Sequence, residues 1–449
     1  MHVPLLFLFA SLVSVFAKTN IIYIMADDCT FRDLGCYGGQ ALTPNIDHLA
    51  TEGILFERCF QAAPMCSPTR HNIYTGLYPV KSGAYPNHTF VKEGTKSLSH
   101  YLRPLGYRVA LSGKTHIAPR KNFEFEYSGK KNPDMEVIEK LMVESKKNGN
   151  PFCLLACSNE PHAPWDKGDA SKYPPSEVKL PSYLVDTEET RDEFSRYLAE
   201  ITYYDQQVGE ILALLKKHKL EDDTLVIVTS EQGNQFPFAK WTCYDLGLQS
   251  GMIARWPGKI AAGSKTKAMV EYVDLCSTFV EVAGGKIPAG LDGKSFLPVL
   301  KGEKNQHKNH VYGIMTTKGI INGSDHYGIR SVRSKTHKLI VNLTPEIEFR
   351  NIVMKTPSFR SWEALAAKGD ERAIYLVNRY KKRPAIELYD LRSDPLEAKN
   401  IADEEGSEKI VKSLREKLDQ WMKAQGDLGQ ETEMNALDRQ GGGRKKKKK

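Results

Sequence analysis

Residues 20–28, NIIYIMADD, constrain the fold more than any other stretch. From Ile21 to Ala26 no strongly polar side chain interrupts the run, so neither of its faces suits water. So short an apolar segment, ending in two carboxylates, reads as a strand buried on both sides. Runs of the same kind recur at YRVALSG (107–113), PFCLLACS (151–158) and DTLVIVTSEQG (223–233). Helical patterns lie between them. TPNIDHLATEG (43–53) offers Thr43 as N-cap, Pro44 at the first helical position, Ile46, Leu49 and Ala50 on one face, and Gly53 as a stop. Residues 187–219 keep the helical period through Phe194, Leu198, Ile201, Val208, Ile211, Leu212 and Leu215.

Strands separated by helices predict an α/β fold, with a large, mostly parallel sheet sandwiched between helices. From about residue 310 the texture changes. HVYGIM, YGIRSVRS and HKLIVNL are short alternating runs suited to a small antiparallel sheet, and an amphipathic helix is expected over 408–424. The expected organisation is therefore a large α/β domain over 18–309 and a smaller C-terminal α+β domain over 310–440. The chain has 449 residues, 41% of them hydrophobic and 26% charged, which excludes a disordered or fibrous protein.

Two terminal segments stand apart. Residues 1–17 are apolar from position 3 onward with only Ser11 and Ser14 as polar breaks, too short to span a bilayer comfortably, and end in Val15-Phe16-Ala17, small at both positions a signal peptidase reads. They read as a secretory signal, so the mature protein is expected to be exported, either secreted or periplasmic (lysosomal in a eukaryote), without stable membrane insertion. The segment GGGRKKKKK (441–449) carries six of the charges behind the net +8, and +8 less 6 leaves a nearly balanced body at +2. It reads as a flexible basic tail. No basic patch recurs with interleaved aromatics, so nucleic acid is not an expected partner. None of the eight cysteines falls into a zinc spacing, and Cys153 and Cys157 sit in a strand-like run as core residues.

Ligands of open parallel sheets sit outside the carboxyl ends of the strands. The chemically interesting residues fall at such ends: Asp27 and Asp28 close the first strand, Lys114 and His116 follow RVALSG, His162 follows FCLLACS, and Glu231 with Gln232 follows LVIVTS. Adjacent carboxylates repel unless a cation lies between them, and hard divalent ions want several oxygen ligands. Each pair alone reads equally well as a solvated turn. Together they favour a Ca²⁺ or Mg²⁺ site.

Cys66, in APMCSPTRHNIYTG, is expected near a helix N-terminus, with Pro68 in the first turn and Arg70 a turn along. A plain thiol in that setting is expected to have a lowered pKa. Hard oxygen ligands do not suit a soft thiolate, whereas an oxygen nucleophile would match them.

C66-S67-P68-T69-R70 followed by HNIYTG resembles the sulfatase signature Cys-x-Pro-Ser/Thr-Arg-x4-Thr-Gly. NIIYIMADD, GCYGGQALTPNIDHLATEGILF, SGKTHI, EPHAPW, TSEQG and ELYDLRSDPLEAKNIA follow in that family's order, so the resemblance spans nearly the whole mature chain. It implies an alkaline phosphatase-like fold, somewhat like the heparan N-sulfatase and glycan sulfatase branch. It further implies that a maturation enzyme oxidises Cys66 to Cα-formylglycine, whose hydrate attacks sulfur. On this resemblance Asp27, Asp28, Glu231, Gln232 and the modified Cys66 hold a metal, usually calcium. Arg70, Lys114 and His116 hold and activate the hydrated aldehyde, while His162 and Lys240 contact the sulfate and leaving oxygen. The second hydroxyl of the hydrate, deprotonated by His116, then expels sulfate and restores the aldehyde.

The expected substrate is a sulfated saccharide. Alternatives are a phosphate or phosphonate monoesterase of the same superfamily, and a carbohydrate-binding relative with unmodified Cys66. Where the family commonly has Asp followed by Asn or His, this chain has Glu231-Gln232, each one methylene longer than Asp-Asn. After them, Trp241 and Tyr244 read either as stacking platforms for a sugar ring or as core aromatics.

Overall fold

The computed structural model describes residues 18–440. The expected secretory signal (1–17) and basic tail (441–449) lie outside the described residues. Nine strands form the larger sheet: β1 (Asn20–Met25), β2 (Ile54–Phe60), β3 (Arg108–Gly113), β4 (Glu126–Tyr127), β5 (Phe152–Cys157), β6 (Thr224–Thr229), β7 (Gln249–Arg255), β8 (Ser264–Thr266) and β9 (Val270–Glu271). Their order is β4-β3-β5-β1-β6-β7-β2-β8, with β9 also on β2. Only β7 runs against the others, pairing antiparallel with both β6 and β2. The sheet is thus mostly parallel, as predicted.

The unbroken hydrophobicity of β1 has a direct structural counterpart. Ile22, Ile24 and Ala26 enter the core on one face, with Ile46, Leu141 and Phe194 from the helices Pro44–Glu52, Met135–Asn148 and Glu188–Lys217. Ile21, Tyr23 and Met25 enter the core on the other, with Ile73, Leu98 and Phe279 from Cys66–Thr75, Leu98–Leu102 and Asp274–Val282. A strand with period 2 buried on both faces has no position left for a polar residue. Cys153 and Cys157 on β5 are core residues, and all eight cysteines are unpaired.

Helix Pro44–Glu52 corrects one expectation. Thr43 stands at the N-cap, but its hydroxyl makes no capping bond; it donates to Asp47 Oδ1 at 2.9 Å. The free amides of the first turn are taken instead by Asp205 of the long helix, whose carboxylate accepts from Asn45 N at 3.2 Å and Ile46 N at 2.8 Å. A carboxylate at the positive end of the helix outcompetes a hydroxyl.

The smaller sheet is antiparallel, in the order β10 (Val311–Thr316), β11 (Gly328–Arg333), β12 (His337–Asn342) and β13 (Ile386–Asp390). Helix Glu408–Gln425 lays Leu414, Leu418 and Trp421 against Val332, Leu339 and Leu388. Two helices that periodicity did not anticipate, Pro357–Ala367 and Glu371–Lys381, bury Phe359, Trp362 and Tyr380. Among the described residues no helix is long and apolar enough to cross a membrane.

Candidate active site at the carboxyl ends of the large sheet

Because β1, β3, β5 and β6 are parallel neighbours, the residues following them emerge at one edge. Asp27 and Asp28 follow β1, Lys114 follows β3, His162 lies beyond β5, and Glu231 and Gln232 follow β6. Oxygen atoms of Asp27, Asp28 and Glu231 lie within 4.8 Å of one another, and all three side chains are fully buried. Gln232 donates its amide to Asp28 Oδ1 at 2.6 Å. Asp27 Oδ1, both Glu231 oxygens and Gln232 Oε1 are buried without a hydrogen-bond partner. So many unpaired acceptors are costly to bury together unless a cation satisfies them, and an all-oxygen donor set suits a hard divalent ion.

Three cationic side chains face the cluster. Lys114 contacts Asp27 Oδ2. Arg70, fully buried, sits 3.7 Å from Asp27 Oδ1 and 3.4 Å from Glu231 Oε1, and donates Nη1 to the Lys114 carbonyl at 3.1 Å. Lys240 Nζ is 2.5 Å from Asp28 Oδ2 and lies over the Trp241 ring. His162 completes this side: Nδ1–H donates to the Ala163 carbonyl at 2.7 Å and Nε2 stands 3.6 Å from Asp28 Oδ2. Burial, reinforced by Lys240, pulls His162 down to about 3, so the ring is neutral.

Cys66 is the first residue of helix Cys66–Thr75, as the sequence suggested. Its thiol behaves otherwise than expected. Burial pushes it up to about 12, outweighing Lys240, the largest of the lowering influences. Desolvation of a thiolate here outweighs its cationic neighbours, so the bare sulfur is a poor nucleophile. Of the two readings open for Trp241 and Tyr244, the structure favours core aromatics: both are buried, and Tyr244 donates to Glu387 Oε2 at 2.7 Å.

Three residues that sequence reasoning missed link Cys66 to His116. Asn87 Oδ1 lies 4.0 Å from Cys66 Sγ. The next residue, His88, places Nδ1 2.9 Å from His116 Nε2. His71 ties helix Cys66–Thr75 to the segment carrying His116: Ala118 N–H donates to its Nε2 at 3.0 Å, which leaves Nδ1–H to donate to the Ser67 carbonyl at 2.7 Å. Asn87 and His88 had no marker beyond two polar residues in a loop, whereas His71 stood inside the signature. Asp28, His88 and His116 all have left-handed backbones, with φ of 62°, 52° and 46°. Strain of this kind, of order 1 kcal/mol or more per residue, concentrates at functional sites.

The site thus joins the oxygen cluster, the cations and Cys66, with His116 reached through His88. Comparison with known proteins agrees. The family description "Sulfatase" matches residues 19–285, and "N-sulphoglucosamine sulphohydrolase, C-terminal" matches residues 233–352. An ulvan-active sulfatase of Formosa agariphila is 34% identical over 426 residues, covering 92% of this chain and 81% of that one. The human N-sulphoglucosamine sulphohydrolase is 26% identical over 454 residues, covering 90% and 89%. A solved structure of a protein in complex with its substrate D-glucosamine-2-N,6-O-disulfate superposes with a TM-score of 0.71 at 20% identity, covering 92% of this chain and 99% of that one, which shows the shared fold. The strand ends bearing Asp27 and Glu231 and the helix start bearing Cys66 all fall inside the first match, and the chain belongs to the sulfatase family of sulfuric ester hydrolases.

Proposed function

We propose that this sulfatase removes sulfate from sulfated carbohydrates, as an ester or a sulfamate, through residue 66 after its conversion from cysteine to Cα-formylglycine by a maturation enzyme. The observation that carries the reading is the convergence of unpaired acceptors on Asp27, Glu231 and Gln232 with the Asp28 carboxylate beside Cys66, and three cationic side chains around them. Relatives named for ulvan and for N-sulphoglucosamine point to the substrate class. In this reading residues 18–309 carry the chemistry, residues 310–440 form the smaller domain, and the N-terminal segment directs export.

Asp27, Asp28, Glu231 and Gln232 would hold a calcium ion, or magnesium, through oxygen. Such an ion supplies Lewis-acid polarisation of the sulfuryl oxygens. The hydrated aldehyde supplies an oxygen nucleophile that the thiol, pushed up to about 12, cannot match. The chain's own residues do the rest. Arg70, Lys114 and Lys240 offset the charge of an anionic substrate, which would otherwise repel the nucleophile. Arg70 is held for this by its bond to the Lys114 carbonyl, so the two cations are set as a unit. His116, reached by His88, accepts a proton from the residue-66 hydrate. A departing alcohol or amine needs a proton, and neutral His162 has its only N–H committed to the Ala163 carbonyl. This favours Lys240 as the proton donor.

The test is twofold. Mass spectrometry of the peptide containing Cys66, from protein made with a maturation enzyme, should show loss of the thiol and gain of an aldehyde. The same preparation should hydrolyse an aryl sulfate faster than the matching aryl phosphate, and Cys66→Ala should do neither. An unmodified thiol in an active preparation, or a preference for phosphate, would refute the reading.

A further inference from the structure

One buried carboxyl pair takes no part in the chemistry above, yet it lies beneath the segment that carries His162. Glu200, on helix Glu188–Lys217, is fully buried. Its Oε1 accepts from Asp166 N at 2.6 Å and Lys167 N at 2.9 Å, closing the far end of segment 158–167. Its Oε2 is buried without a donor. The carboxyl of Glu160, also buried, lies within hydrogen-bond reach of Glu200. Glu160 Oε1 accepts from Asn132 Nδ2 at 2.9 Å, and its backbone carbonyl accepts from Asp27 N at 3.0 Å. Between these two anchors, Trp165 donates Nε1 to the Pro161 carbonyl at 2.9 Å. Its ring stacks on Phe236, 5.0 Å away, in the segment joining Gln232 to Lys240. Glu160 and Glu200 thus hold the chain on either side of His162, whose Nε2 stands 3.6 Å from Asp28 Oδ2.

We propose that Glu200 and Glu160 share one proton, and that Glu200 is thereby a positioning residue for the His162 segment. The inference rests on the active-site reading given above and adds to it a residue that touches no substrate. Two carboxylates in contact away from water cannot both stay charged. Oε1 of Glu200 already accepts two backbone donors, so the proton belongs on Oε2, from which it is donated to a Glu160 oxygen. Protonation turns an orphaned acceptor into a paired donor. The cations nearby are committed elsewhere. Lys167 pairs with Asp166 at 2.9 Å, both exposed, and Arg196, a turn earlier on the helix, pairs with Asp192 at 2.7 Å. Lys114, beyond Glu160, contacts Asp27. Burial, with the Glu160 charge adding to it, pushes Glu200 up to about 8 despite its two backbone donors. Above that value the shared proton passes to solvent and two carboxylates face one another. The segment then gives way, drawing His162 off Asp28 and loosening the bond to Asp27 N. A shift of about 1 Å at a reacting group costs roughly a hundredfold in rate.

The experiment compares the wild type with Glu200→Gln and Glu200→Ala. Glutamine fixes the neutral form, keeps an oxygen for the two backbone donors and offers Glu160 an amide N–H; alanine removes all three bonds. The infrared spectrum of the wild type less that of Glu200→Gln should show the carbonyl band of a protonated carboxyl at about pH 6, lost as pH passes about 8. Hydrogen exchange in peptide 158–168, corrected for its intrinsic pH dependence, should quicken over the same interval in the wild type and stay slow in Glu200→Gln. With an aryl sulfate, kcat/KM of the wild type should bend downward near pH 8, and Glu200→Gln should lose that bend. Glu200→Ala should lose roughly a hundredfold in kcat at neutral pH. If the alanine variant fails to fold, the glutamine variant decides alone. A protonated-carboxyl band untouched by Glu200→Gln, or the wild-type bend retained in that variant, would overturn the proposal. If no protein turned over sulfate while band and exchange behaved as stated, the catalytic reading would fall and the proton-sharing pair would stand.

Discussion

Arg330 on β11 and Asp427 offer a demanding test of how this chain is held together. Both side chains are fully buried. Arg330 Nε donates to Asp427 Oδ2 at 2.5 Å and Nη2 to Oδ1 at 3.1 Å, and Nη1 turns to the carbonyls of Ile329 and Met315. Asp427 also accepts from Gly429 N at 3.0 Å, fixing the turn after helix Glu408–Gln425. Replacing Asp427 with Asn keeps the shape and removes the charge, leaving a guanidinium without its counterion in the core. Breaking a buried pair in this way costs about 3–5 kcal/mol, a factor of roughly 10² to 10⁴ in the unfolding equilibrium. The double replacement Arg330→Met with Asp427→Leu removes both charges, and should recover most of the loss despite the abandoned turn bond. Urea unfolding followed by tryptophan fluorescence suits the measurement, because Trp421 stacks on Tyr312 against this sheet. Because Asp427 precedes Arg439 and Gln440, which bond to the loop bearing Asn87 and His88, the single variant should also lose activity at temperatures where the whole chain remains folded. A loss under 1 kcal/mol, or a double variant as weak as the single, would refute the reasoning.

Further predictions concern protons, metal and catalysis. Burial pulls His71 down to about 4 from 6.5, so the unfolded chain binds the extra proton first; stability should fall as pH drops from 6.5 to 4, by about 3 kcal/mol, and not further below. His71→Gln should flatten that part of the urea-midpoint profile relative to wild type. Chelation of divalent ions should lower the thermal midpoint of the wild type, and Glu231→Ala should abolish that sensitivity as read by calorimetry. Lys240→Met should slow hydrolysis by about 10² to 10⁴, more for poor alcohol leaving groups than for nitrophenol; an equal loss for both would remove its role as proton donor.

Sequence alone determined much of this protein, because much of it is written in short-range patterns. The unbroken apolar runs at 21–26 and 153–157 mean strands covered on both faces, and the residues just past them fall at one edge of a parallel sheet by topology alone. That is why Asp27, Lys114, His162 and Glu231 were legible as a group, and why Cys66 was legible at a helix start. The tertiary structure decided what depends on distant neighbours. The thiol of Cys66 is raised because the surrounding core removes water, a cost that no five-residue signature records. Thr43 loses the capping role to Asp205, 160 residues away from Asn45, and Tyr244 turns inward to Glu387 on the smaller sheet. Asn87 and His88 join the site on a loop that Arg439 and Gln440, some 350 residues on, help to hold in place. Periodicity reports which face of an element is apolar; which loop meets which is set by how those faces close on one another.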